Sequence, residues 1–94
     1  MALPLIGAAL IGALNAALHA AGIQYTISFA AVASPAGIMT GIMAAAGVIL
    51  PAGVAITSAQ AVNALYQIPG QLASQGNAQM AIKAALKIAG VRVQ

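Results

Sequence analysis

Residues 34–67 read SPAGIMTGIMAAAGVILPAGVAITSAQAVNALYQ, and the parsing of this run decides the fold. Ser34-Pro35 is a helix start, a hydroxyl that can cap free backbone N–H groups followed by a proline whose missing N–H is harmless at the first helical position. From there to Gln67 the run stays largely apolar, and Gly37 and Gly41 make a GxxxG step beside Ile38, Met39, Ile42 and Met43. Pro51 removes one helical hydrogen bond and crowds the turn before it. No polar turn residues accompany it, so the pattern predicts one long helical arm, bent near Pro51, with Gly47 and Gly53 easing the bend.

Before this arm, residues 3–21 read as a second helix, with Pro4 in its first turn and Gly22 as its stop. Leu3, Ile6, Leu10, Leu14 and Leu18 fall on one side of it. Ala8, Gly12, Ala16 and Ala20 form a ladder of small residues on the other, on which a neighbouring backbone can rest. Between the two helices, Ile23 to Phe29 alternates apolar and polar residues, which predicts a strand that pairs with Ala30 to Ala33 or with another copy. After the long arm, Ile68-Pro69-Gly70-Gln71 fits a type II turn. A last helix is expected to run to Ala89, with Gly90 as its stop and Val91 to Val93 as an extended tail. The expected fold is all-α: an antiparallel helical hairpin or small bundle, one domain over residues 1–94, with a short β element around residues 23–33.

Composition argues for association. Leu, Ile, Val and Phe make 27 of the 94 residues, whereas Ala and Gly make 36. Small side chains gain little from facing lipid, and they are what helix-helix interfaces select. Only 3% of residues are charged, against about 25% in ordinary soluble chains, so the expected surface is one that meets a partner. No cysteine is present, which excludes disulfides and thiol chemistry. The N-terminal apolar stretch opens without Lys or Arg and lacks a convincing cleavage site, so no signal peptide is expected.

The chain contains no Asp or Glu, and its three cations, Lys83, Lys87 and Arg92, all lie in the last twelve residues. Many copies side by side would repel one another there unless a polyanion ran along that end. Gln71, Gln75, Gln79, Lys83 and Lys87 recur at i+4 spacing, which on one helix lines a single face. Lysines near a helix C-terminus also suit the macrodipole, and that plainer reading stands beside the first. Glutamine donors and lysines together suit phosphate oxygens, contacts that position a nucleic acid without reading its sequence. Duplex DNA carries one charge per about 1.7 Å, so three cations match about 1.5 base pairs per subunit.

Catalysis has little to work with. No carboxylate exists for acid-base chemistry, and His19 has no second His or acidic partner to complete a metal site or a triad. His19 is expected to be a neutral, hydrogen-bonded packing residue, and no cofactor or metal is expected. Tyr25, Phe29 and Tyr66 are too scattered to form a base-stacking platform.

The small size, the Ala/Gly-rich packing faces, the missing acids and the terminal cations together point to a non-enzymatic coat subunit. Many copies would polymerise into a rod or filament around double-stranded DNA, in a virion. The pattern resembles the major virion protein of the clavaviruses, bacilliform double-stranded DNA viruses of hyperthermophilic archaea. That resemblance implies a very hydrophobic helical hairpin packed side by side around DNA, with Lys83, Lys87 and Arg92 facing it. Two alternatives share the pattern: a lipid-associated conjugative-type pilin at the cell surface, and a two-span membrane protein of the holin type.

Overall fold

The computed structural model describes residues 8–28 and 34–93, and four helices lie within them. They are α1 (Ala8–Ala20), α2 (Pro35–Ala46), α3 (Ser58–Gln75) and α4 (Ala78–Ile88). The all-α class is correct, but of the two expected arrangements, hairpin or small bundle, the hairpin is not formed: four short helices pack together. α3 is the centre: it packs against α1, α2 and α4. Its buried stripe, Ala61, Val62, Ala64, Leu65 and Ile68, meets Ile11, Leu14 and Leu18 of α1, Ile38, Met39, Ile42 and Met43 of α2, and Ile82, Ala85 and Leu86 of α4 in one core. Each Leu or Ile fully buried there contributes about 1.5–3 kcal/mol.

The run over residues 34–67 is therefore not one bent helix. α2 ends where Gly47, at φ +74°, enters the left-handed region and donates to the Ala44 carbonyl while Val48 N–H reaches the Met43 carbonyl. This is a Schellman stop, sealed by the buried pair Met43 and Val48. The chain then crosses without helix, turning at Pro51 to Val54, where the Val54 N–H donates to the Pro51 carbonyl and Gly53 takes φ +82°. α3 starts afresh at a capping box: Thr57 accepts from the Gln60 N–H at 3.1 Å, and the Gln60 side chain accepts from the Thr57 N–H at 3.1 Å.

The turn expected at residues 68–71 is also absent, because α3 runs straight through Pro69 and Gly70 to Gln75. Burial of Leu65 and Ile68 before the proline and packing of Leu72 after it together outweigh the roughly 3 kcal/mol that an interior proline costs a helix. The reversal falls instead at Gly76, φ +67°, after which Asn77 caps α4 by accepting from the Met80 N–H at 3.1 Å.

The expected β element is not formed: no strand occurs among the described residues, and positions 29–33 lie outside them. The alternation it was read from is nevertheless realised as burial. Ile23 and Ile27 are buried and Tyr25 half-buried, while Gln24, Thr26 and Ser28 are exposed. In place of a neighbouring strand, the Asn15 side chain of α1 grips Ile27. Its amide oxygen accepts from the Ile27 N–H at 2.7 Å and its amide nitrogen donates to the Ile27 carbonyl at 3.2 Å. Asn15→Ala is expected to destabilise the chain by about 1–3 kcal/mol, the cost of two unmet backbone groups. Hydrogen exchange should show the Ile27 amide losing protection first.

The chain exposes 5000 Å², close to the roughly 4,900 Å² that a compact monomer of its mass exposes. Most of the bulky apolar residues described thus find their core within one chain. The large apolar side chains left exposed among the described residues are Ile49, Tyr66, Met80 and Ile88. Among the described residues no helix is long and apolar enough to cross a membrane. The two-span alternative drew on an uninterrupted second arm, and the breaks at Gly47 and Thr57 divide that arm.

Candidate nucleic-acid interface

The i+4 series from Gln71 to Lys87 does not lie on one helix, since Gly76 and Asn77 separate α3 from α4. Its members divide into three sets. Gln71 and Gln75, on the last turns of α3, bond to each other, with Gln75 Nε2 donating to Gln71 Oε1 at 3.2 Å. Gln79 turns to α2, its Nε2 donating to the Gly47 carbonyl at 2.9 Å, so it caps a helix end and is spent structurally. Lys83 and Lys87 stand one turn apart on α4, with Lys83 half-buried and Lys87 exposed.

The corner between α3 and α4 brings part of the series together again. Gln75, Met80, Lys83, Ala84 and Lys87 line one shallow depression of about 200 Å³. Adjacent turns of a helix hold side chains roughly 5–6 Å apart, and no acid exists anywhere in the chain to neutralise the pair. The macrodipole reading also holds for Lys87, which sits in the last turn of α4.

Arg92 lies beyond this depression. α4 ends in another Schellman stop, with Gly90 at φ +88°, Gly90 N–H to the Lys87 carbonyl and Val91 N–H to the Leu86 carbonyl. Val91 is buried and Gln60 Nε2 donates to the Gly90 carbonyl at 3.3 Å, which anchors the tail and leaves Arg92 exposed.

The small-residue positions separate as well. Gly12 and Ala16 are exposed on α1, and a Cβ built on Gly12 would meet nothing. Ala20 borders a shallow groove with Ala17, Ala21, Pro69, Leu72 and Ala73. Ala8 begins the described part of α1. The Gly37–Gly41 step is occupied from within: the Tyr25 ring lies where a side chain on Gly41 would go, and a Cβ on Gly37 would approach Ser34 Oγ to 2.7 Å. Gly41 thus admits an aromatic ring of its own chain in place of a neighbouring helix.

His19 is hydrogen-bonded, as its expected packing role requires, but it is exposed. Its Nε2 lies 3.1 Å from the Tyr25 carbonyl and 3.0 Å from Thr26 Oγ1. In the tautomer that carries its proton on Nε2, the ring donates to the carbonyl, which only accepts, while the Thr26 hydroxyl can take either role. Among the described residues no group of three or more His, Cys, Asp or Glu comes together. The Asn15 grip and the Gln60 and Gln79 caps were not foreseen. The Thr57-x-x-Gln60 spacing was readable as a capping box, whereas nothing local in the sequence pairs Asn15 with Ile27 or Gln79 with Gly47.

Comparison with protein-family models, with curated proteins and with solved structures gave no match.

Proposed function

We propose that this chain is a non-enzymatic structural subunit that assembles in many copies around double-stranded DNA, as the coat of a rod or filament. The observation that carries the reading is the pairing of Lys83 and Lys87 beside Gln75 in one surface depression, in a chain with no acid to balance them. Arg92, exposed on an anchored tail, adds a third cation. Such a face contacts phosphates and leaves base edges unread. Equilibrium binding to duplexes of unrelated sequence tests it: equal affinities are expected, and a preference for one sequence above about tenfold would argue against a backbone-only contact.

Assembly is assigned to the uncharged surface, of which the exposed Gly12 and Ala16 face of α1 is one part. Gly12→Leu is expected to fold like the parent, because open space surrounds the site, and to fail to form particles, because overpacking typically costs about 1–3 kcal/mol per site and recurs in every copy. Particles of normal yield from this variant would remove the α1 face from the interface.

A second reading is favoured by one observation. Met80 and Ile88, 56% and 51% exposed, stand on the same helix as the lysines, an arrangement that suits phospholipid headgroups with apolar contact beneath. This is the lipid-associated pilin alternative, and phospholipid in the purified particle without nucleic acid would establish it over the coat.

A further inference from the structure

Two non-helical segments of this chain alternate in burial with period two, the geometry of a strand with one face on a core. The first is residues 23–28, described above. The second is the crossing from α2 to α3. There Val48 is buried and Leu50, Val54 and Ile56 pack half-buried against the core, while Ile49, Ala55 and Thr57 point outward. The two segments differ in what meets their backbones. Asn15 takes both polar groups of Ile27, His19 bonds the Tyr25 carbonyl, and the Ile23 N–H reaches the Leu18 carbonyl. In the second segment the bond from Val54 to Pro51 closes the turn. Ile49, Leu50, Ala55 and Ile56 have no backbone partner among the described residues.

We propose that residues 48–57 are an open edge at which a second copy of this chain docks, by antiparallel backbone pairing with the same segment of that copy. An edge of this kind offers donors and acceptors in alternation and is complementary to itself about a two-fold axis. A bilayer supplies no partners for open amides, which favours another polypeptide over lipid. Charge favours a copy here over a copy docked at the α4 end: no residue from Gly41 to Ile56 is charged or carries a polar side chain, whereas all three cations lie between Lys83 and Arg92. Copies meeting through α4 would set like charges together; copies meeting here do not. Ile49, at 71% exposure, is the bulkiest side chain on the outward face and would meet cross-strand side chains of the second copy, so that a lysine there sets like charges against each other across the pair. Pro51, which has no N–H, confines the pairing to the arms on either side of the turn.

The inference rests on the multi-copy reading above, and its test uses the full chain without DNA so that the two can fail separately. In sedimentation velocity the parent should run as a dimer or larger, and Ile49→Lys as a monomer with an unchanged helical circular dichroism signal. The absence of native cysteine allows a second readout. Under mild oxidation Ala55→Cys should give disulfide-linked dimers at several times the yield of Ser74→Cys, which places its thiol on the exposed surface of α3. A monomeric parent, an Ile49→Lys variant that sediments like the parent, or equal cross-linking from the two cysteine sites would each overturn the proposal. So would a monomeric parent that Ile49→Lys releases from phosphatidylcholine vesicles, since a bilayer would then be the occupant. A parent that binds DNA while Ile49→Lys assembles normally sinks this edge alone. One that pairs here and ignores DNA sinks the coat reading alone.

Discussion

Leu65→Ala is expected to lower the thermal midpoint of the isolated chain by on the order of 10–30 °C. Leu65 is fully buried on α3, the helix that touches the other three, so its loss opens a cavity in the shared core. Leu-to-Ala truncations in such cores cost about 2–5 kcal/mol. A chain of this length has roughly 5–14 kcal/mol in total, and each kcal/mol is worth about 4–8 °C at this size. Tyr66→Ala is the control: its side chain is 43% exposed on the same helix, and surface changes usually stay within about 0.5 kcal/mol. Thermal melts followed by circular dichroism distinguish the two. Equal shifts would mean that α3 is not the centre of an intramolecular core.

The second large effect concerns DNA. Lys83→Gln combined with Lys87→Gln keeps helix propensity nearly unchanged and removes two of the three cations. With three phosphate contacts the parent's affinity should fall with salt at a log-log slope of about −2.7, which is about 40-fold between 50 and 200 mM. With Arg92 alone the slope should flatten to about −0.9. Packaging should fail with it, leaving empty or unstable particles. Because Lys83 and Lys87 make no ion pair that folding needs, the thermal midpoint of the double variant should stay near that of the parent. A salt slope unchanged by the double substitution would place the polyanion elsewhere.

Much of the fold could be read from the sequence where the signal was local. Gly22 and Gly90 were read as helix stops, and both take left-handed φ at Schellman ends. Gly47 was read as part of a bend, although residues 43–48, MAAAGV, repeat the pattern of 18–23, LHAAGI, and 86–91, LKIAGV. In all three a buried apolar residue precedes the glycine by four positions and a buried β-branched residue follows it. Pro51 lies four residues beyond Gly47, where the helix has already ended. At Pro69-Gly70 the error ran the other way: turn chemistry was strong locally, and burial of Ile68 on the central helix overrode it.

For the candidate site, legibility followed the same rule. The residue types at Lys83 and Lys87 were visible, and their shared depression with Gln75 follows from spacing carried across a corner. The engagement of Gln79 with Gly47, and of Tyr25 with Gly41, depends on how separate helices meet. A single sequence holds no local trace of such contacts. The low bulky-apolar and high Ala/Gly content was read as helices made to pack on other helices, and in the described residues alanines at 61, 64, 81 and 85 are buried where helices of the same chain meet.

The most direct test of the central claim is nuclease digestion of particles assembled from the purified chain and duplex DNA of arbitrary sequence, followed by extraction of what survives. Subunits that coat DNA should leave protected duplex at a length set by the amount of protein, near 1.5 base pairs per chain if all three cations are matched, and Lys83→Gln with Lys87→Gln should abolish the protection. Complete digestion of the DNA in the presence of intact, assembled protein would contradict the account.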